Sequence, residues 1–271
     1  MHVPFLCEVL ALGLSDDVAE AVAGAHAAKV VGVRHGPGPT SGRSRGTVAA
    51  MPDPEHVSTT RAAYDDTADV YAQWVGTEIS SAIEGPIDRA LLGAFVELMA
   101  HADGRPVADV GCGPGRVAAL LAAHGLDVIG VDASPGMLAV ARRAHPGIRF
   151  ELGLLTDLPV PDGSLAGAVC WYSIIHTPAE HLGTVGAELL RALAPGAHLL
   201  VAFQAGNGER AHRSEVHGRP VSLTSYRHAP DEVAGCLAGA GLQVLARAVR
   251  EAESAHESTP QAFILARSPT A

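Results

Sequence analysis

The segment VADVGCGPGRV (Val107–Val117) constrains this 271-residue chain more than any other. A short apolar run suited to a strand leads straight into Gly111, Gly113 and Gly115, and Arg116 opens an apolar helical pattern. Glycines let a backbone turn tightly and let a ligand touch the main chain. A helix starting at that point presents free N–H groups and the positive end of its dipole. DVIGVD (Asp127–Asp132) reads as the next strand, and Asp132 ends it 21 positions after Gly111. A carboxylate at such a strand end accepts hydrogen bonds from both hydroxyls of a ribose. Strand, loop, helix, strand and terminal Asp in this register predict a nucleoside-containing cofactor. The dinucleotide fingerprint G-x-G-x-x-G needs a third glycine where Arg116 stands; the pattern G-x-G-x-G disfavours a pyrophosphate.

The rest of the chain after Pro106 alternates strands with helices. Helices are expected at Arg116–His124, Ser134–Ala144 (Ser134 as N-cap, Pro135 at N1), Ala187–Gly196 and Pro230–Gly241. Further strands are expected at Arg149–Leu152, Gly167–Ile174, Ala197–Phe203, Leu242–Val249 and Gln261–Arg267. That order predicts an α/β fold with helices on both faces of a mostly parallel sheet. The last two strands have no helix between them, so the final pair is expected to be antiparallel. Residues 60–101 read as helices, with Pro86 in a first turn and Leu91, Leu92, Phe95 and Met99 at helical spacing. Tyr64 and Tyr71, seven apart, fall on one helical face.

Residues 1–50 differ. A weak helical stretch near Asp16–Lys29 precedes the Gly/Pro/Ser/Arg run His35–Gly46. Met51 is a candidate natural start, with 1–50 either a misassigned extension or a poorly ordered one, and no chemistry is expected there. The domain proper is then 51–271, with a helical cover (55–101) over a cofactor-binding core (106–271).

Acids outnumber Lys and Arg by 29 to 19, and residues 51–100 carry nine acids against Arg61 and Arg89. A partner that grips nucleic-acid backbones needs a basic stripe, which this chain lacks. No uncharged apolar run is long enough to span a bilayer. Cys7, Cys112, Cys170 and Cys236 have neither CxxC nor metal-like spacing and read as free thiols of a reducing compartment. Val3–Leu14 is apolar but interrupted by Glu8 and preceded by no Lys or Arg, so a secretion signal is not expected and a cytoplasmic location is. The oligomeric state is not legible.

The motif D-V-G-C-G-P-G-R resembles the first motif of class I S-adenosylmethionine (SAM) methyltransferases, and V-D-A-S-P-G-M-L (Val131–Leu138) resembles their second-strand motif. LRALAPGAHLLVAF (Leu190–Phe203) is similar to their fifth-strand segment, and the resemblance runs from about Tyr64 to Arg267. It is nearest the small-molecule, ubiquinone/menaquinone-type branch. It implies a Rossmann-like, seven-stranded sheet with an antiparallel last strand and an N-terminal helical cover. It also implies SAM as cofactor, held by Gly111, Gly113 and Gly115 at the methionine end with Asp109 beneath them. Asp132 would take the ribose, Ala133 and Met137 the adenine flanks, and Leu154 and Leu155 its far edge. Tyr64 would cover the cofactor and Tyr172 would offer main chain to the methionine ammonium. Many relatives carry Asp where Leu154 and Ala166 stand, so the adenine contacts depart from the family pattern.

Methyl transfer from a sulfonium needs alignment first and a base second. His176, just past the fourth strand, is the base candidate; the alternative is a histidine that orders its loop. Tyr71, Trp171, Gln204, His217 and Tyr226 are weaker candidates for the acceptor site, and Ser214–Arg227 reads as a mobile lid. His176 and His181 have no third ligand at useful spacing, so no metal is expected. The expected function is methyl transfer to an O, N, S or C atom of a small molecule, without nucleic-acid or membrane partners. A SAM-binding protein without methyl transfer and an NAD(P)-dependent oxidoreductase are the alternatives.

Overall fold

The computed structural model describes residues 54–270, apart from His217 and Ala255. The weak helix near Asp16–Lys29, the 35–46 run, Met51 as a start, Cys7 and the acceptor candidate His217 lie outside the described residues.

Seven strands form the central sheet: β1 (Val107–Val110), β2 (Val128–Asp132), β3 (Arg149–Leu152), β4 (Leu165–Trp171), β5 (Leu193–Gln204), β8 (Gln243–Arg250) and β9 (Gln261–Arg267). Their order is β3-β2-β1-β4-β5-β9-β8. All neighbouring pairs through β5 are parallel, and β9 runs antiparallel to both β5 and β8. The mostly parallel sheet with an antiparallel last strand is therefore as expected.

The strands are apolar on both faces because helices cover both. Val107, Val128, Val169 and Leu200 pack toward α2 (Pro86–Leu98), α3 (Arg116–Ala123) and α4 (Pro135–Ala144). Ala108, Ile129, Ala168 and Leu199, each the immediate chain neighbour of one of these, pack toward α5 (Leu182–Ala192) and α6 (Pro230–Gly239). This is the period-2 alternation of a strand buried on both sides. At α4, Pro135 takes the first turn and the Ser134 hydroxyl accepts the Met137 N–H, as a Ser N-cap should.

Before the sheet, α1 (Glu55–Val75) lies across α4, burying Ala68 against Met137 and Val140. Asp65 of α1 clips the start of α4, accepting the Ser134 hydroxyl at 2.5 Å and the Gly136 N–H at 2.8 Å. Between β5 and α6 the chain forms an antiparallel hairpin, β6 (Glu209–Val216) and β7 (Arg219–Arg227).

Three boundaries differ from the sequence expectation. The β4 strand ends at Trp171 rather than Ile174, because Tyr172 takes a left-handed φ of 58° and turns the chain into a 3-10 turn, Ile174–His176. The fifth helix starts at Leu182, five residues before Ala187, on the buried stripe Leu182, Val185, Leu189 and Ala192; Pro195 and Gly196 belong to β5. The supposed lid is a hairpin strand pair, mostly exposed and so without the apolar alternation that betrays a strand. Among the described residues, no helix is long and apolar enough to cross a membrane.

Candidate active site

β1 and β4 are sheet neighbours, but the chain leaves them in opposite directions along the sheet. A crevice opens at the carboxyl end of such a switch point. Here it is a cavity of about 230 Å³, walled by the glycine loop, the ends of β2 and β4, and one face of α1.

The loop is tied to β2 by two hydrogen bonds, from the Gly111 and Cys112 N–H groups to the Val131 carbonyl. Gly111 has φ +74°, and a Cβ there would lie 2.2 Å from the Ser173 Cβ. Gly113 also has positive φ, +52°, but a Cβ there would meet nothing within 4 Å. Only a glycine suits the first position for space, and the second leaves bare backbone facing the cavity.

Asp132 is held rather than loose. Its Oδ2 accepts the Gly113 N–H and its Oδ1 accepts the Ser134 N–H, each at 2.8 Å. Each oxygen keeps a further lone pair for a ligand hydroxyl. Burial raises its pKa, opposed by these backbone bonds. Asp109, 1% exposed, accepts the Ala118 N–H. Burial pushes its pKa up to about 7, against the Ala118 bond and with the Asp132 charge adding. Two carboxylates beside the glycine loop suit a cationic cofactor and repel a pyrophosphate. Arg116 does not offset them freely: its guanidinium pairs with the buried Glu84 at 2.6 Å and donates to the Glu78 carbonyl.

His176 sits across the cavity. Its Nδ1 lies 2.6 Å from the Thr224 carbonyl of β7, and its Nε2 lies 2.8 Å from the Tyr64 hydroxyl of α1. A carbonyl only accepts, so Nδ1 carries the proton and Nε2 is the bare acceptor, taking the Tyr64 O–H. Burial pushes the His176 pKa down to about 4, the Thr224 bond opposing and Arg213 adding to the shift. The ring is thus a neutral acceptor throughout the physiological range. Burial raises the pKa of the Tyr64 phenol well above its ordinary value, which keeps it a donor.

Aromatic rings line the rest. Tyr64 meets Tyr71 edge-on at 5.6 Å, and Trp171 meets Tyr172 likewise at 5.6 Å. The Trp171 indole N–H is buried without a hydrogen-bond partner among the described residues.

The cavity brings together Tyr64, Tyr71, Asp109, Gly111, Gly113, Asp132, Ala133, Met137, Leu154, Leu155, Trp171, Tyr172 and His176. Gly115 does not line it. As the left-handed N-cap of α3 it packs behind the loop, toward His145, Phe150 and Ala141. Gln204 and Tyr226 do not line it either: Gln204 ends β5 opposite Gln261, and the Tyr226 ring stacks on His228. Sequence reasoning missed His56, Val57, Thr60 and Arg61, which also line the cavity. Their signal was available, since they share the helical face marked by Tyr64 and Tyr71. Thr224 and Arg213 had no such signal, because their positions depend on the hairpin.

The groups present fit SAM: open backbone at Gly113, an Asp132 with spare acceptor capacity, and negative charge for a sulfonium and an ammonium. Independent comparisons agree with this geometry. Residues 107–196 match a family model described as a methyltransferase domain. The chain is similar to trans-aconitate 2-methyltransferase of Methylobacterium nodulans, 39% identical over 121 residues, or 42% of this chain and 45% of that protein. It is 33% identical over 116 residues to demethylmenaquinone methyltransferase of Beutenbergia cavernae, covering 43% of this chain and 48% of that one. These matches span just under half the length of the curated relatives. Among solved structures, the [4+2]-cyclase SpnF shares the fold with a TM-score of 0.62 at 18% identity, covering 82% of this chain and all of that one. The match over residues 107–196 and these relatives support the reading of the site as that of a SAM-dependent methyltransferase.

Proposed function

We propose that the chain transfers the methyl group of SAM to a protic nucleophile on a small molecule, with His176 as the base that receives the proton. The observation that carries this reading is the bare Nε2 of a tautomer-locked imidazole facing the same cavity as the glycine loop and Asp132. The methyl-donating relatives support it. The acidic chain, without a basic stripe, favours a small acceptor over nucleic acid. The free cysteines Cys112, Cys170 and Cys236 favour a cytoplasmic location.

When bound, SAM supplies an already activated methyl on its sulfonium. The chain's own work is to bind, orient and take a proton. In this reading Gly111 and Gly113 offer main chain to the methionine end, and Asp132 receives the ribose hydroxyls. Met137, Ala133, Leu154 and Leu155 enclose the base. The Tyr71, Trp171 and Tyr172 rings exclude water and hold an acceptor flat; such alignment contributes on the order of 7–11 kcal/mol to reactions of this kind. The acceptor hydroxyl displaces the Tyr64 hydroxyl from His176 Nε2, and its proton passes to that nitrogen as the new bond forms. The Thr224 carbonyl then steadies the imidazolium through Nδ1–H.

The test is release of S-adenosylhomocysteine (SAH) from SAM across a panel of hydroxylated, amino and thiol acceptors. Acceptor-dependent SAH release with a methylated product supports the reading, and product formed from the acceptor with no SAH released contradicts it. The latter result belongs to the second reading, a SAM-binding catalyst that moves no methyl.

A further inference from the structure

Ser134 is a joint at the Asp132 end of the cavity. It lines the cavity beside Asp132 and is 1% exposed. Its N–H donates to Asp132 Oδ1 at 2.8 Å, and its hydroxyl oxygen accepts the Met137 N–H at 3.0 Å. A hydroxyl that accepts in one direction still has one proton to donate in another. That proton goes to Asp65 Oδ1 at 2.5 Å, and the same oxygen accepts the Gly136 N–H at 2.8 Å. Asp65 therefore caps α4 from another helix, satisfying an N–H that the first turn leaves open. Asp65 is exposed and stands outside the cavity lining, so its route to the site is the bond to Ser134. Gly136 makes room for the contact. It is not among the positive-φ glycines, but a Cβ there would lie 3.0 Å from both the Cα and the carbonyl oxygen of Asp65. The glycine thus serves the close approach of α1 rather than a turn.

Resting on the reading of the site as a SAM site, we propose that Asp65 is a positioning residue for the cofactor: through Ser134 it holds Asp132 Oδ1 in the direction that receives a ribose hydroxyl. The hydrogen bonds carry this effect and the charge does not. Burial, and to a lesser extent the Asp65 charge, raise the Asp132 pKa, so the charge works against the ionised acceptor. Without Asp65 the Ser134 hydroxyl turns to another acceptor and the Gly136 N–H is released. The N–H of Ser134 then no longer fixes Oδ1, while Oδ2 keeps the Gly113 N–H at 2.8 Å. One of the two ribose bonds is weakened and the other stays. The scale of a single hydrogen bond to a charged group puts the loss at about tenfold in affinity.

The experiment is calorimetry of the full chain with SAH. The variants are Asp65→Ala, Asp65→Asn, Gly136→Ala and Asp132→Ala, the last with and without Asp65→Ala. Asp65→Ala should bind SAH about tenfold more weakly than the parent. Asp65→Asn, whose amide oxygen still accepts both bonds, should stay within about threefold of the parent. Gly136→Ala, whose methyl pushes the two helices apart, should lose affinity by about threefold or more. In the Asp132→Ala background, adding Asp65→Ala should cost less than about twofold, because no Oδ1 remains to be positioned. An Asp65→Ala chain that binds SAH like the parent overturns the proposal. So does an Asp65→Asn chain that loses as much as Asp65→Ala, which would make the charge the cause. A full loss that persists in the Asp132→Ala background would make Asp65 a cap of α4 alone, and overturns it too. If Asp65→Ala does not melt cooperatively, Gly136→Ala carries the test, and unchanged affinity there overturns the proposal. A parent chain that binds no SAH overturns the cofactor reading and the proposal with it, a result distinct from parent and Asp65→Ala chains that bind SAH equally well.

Discussion

Gly111 and Gly113 are two residues apart in one loop, yet alanine should fail at each for a different reason. Both have positive φ, +74° and +52°, where a Cβ costs about 1–2 kcal/mol. At Gly111 the new methyl would also meet the Ser173 Cβ at 2.2 Å and its Cα at 3.4 Å. Backbone must shift there, which adds about 1–3 kcal/mol. Gly111→Ala should therefore lose about 2–5 kcal/mol of stability, adding the two costs. For a domain of this size each kcal/mol is worth roughly 2–4 °C of melting temperature. Gly113→Ala has no clash to relieve and should lose only the φ cost. Its methyl instead enters the space assigned to the cofactor, and the same overpacking range predicts a tenfold or greater loss of SAM affinity. Thermal melts and calorimetry on the two variants separate these effects. A Gly113→Ala chain that binds SAM like the parent, or a Gly111→Ala chain that melts no lower than Gly113→Ala, would refute the reasoning.

Asp132→Ala removes an acceptor bound to two backbone N–H groups; losing two charge-assisted ribose bonds of about 1.5–3 kcal/mol each should weaken SAM by a hundredfold or more, measured by calorimetry. His176→Ala should lower kcat by about 10²–10⁴ with SAM affinity retained, and the acid limb of the pH–rate profile, expected near the His176 pKa of about 4, should vanish. The same shift has a stability consequence. With its folded pKa below the ordinary 6.5, His176 stays neutral while the unfolded chain takes a proton, so stability is lost as pH falls from 6.5 toward 4; urea titrations of the parent and of His176→Asn at both ends of that window check it. Asp109 behaves oppositely: raised from 3.8 to about 7, it contributes stability below pH 3.8 that is lost as pH rises through 7. A cationic cofactor should pull that pKa down again, and calorimetry in two buffers near pH 6.5 should record proton release on SAM binding. Finally, a chain beginning at Met51 should melt cooperatively and bind SAM as the full chain does, whereas removal of residues through Tyr71 should weaken binding; equal affinity of the shorter chain would exclude α1 from the site.

What could be read in advance was what local chemistry dictates. The pattern from Val107 to Leu138 needed only strand period, glycine turns and a Ser-Pro helix start, and each is where the residues put it. The β4 end was overrun because Trp171, Tyr172 and Ile174 are good strand formers, and only the left-handed turn at Tyr172 stops them. Helix α5 was started late because Gly183, Thr184 and Gly186 are poor helix formers; burial of Leu182 and Val185 overrides them. The hairpin was invisible for a deeper reason. Most residues of β6 are exposed, so no apolar alternation marks it. Everything that depends on its register was lost with it: the Thr224 carbonyl that fixes the His176 tautomer and the placing of Tyr226 away from the cavity. Gly115 was legible as a loop glycine, but its service to packing rather than to the ligand is a matter of three-dimensional neighbours.

The account rests on the glycine loop, Asp109 and Asp132 accepting a cationic nucleoside cofactor rather than a pyrophosphate one. The most direct measurement is paired calorimetry of the full chain with SAM and with NAD at neutral pH. The account predicts one SAM bound per chain, lost in Asp132→Ala, and no heat from NAD. Saturable NAD binding with no SAM signal would contradict it.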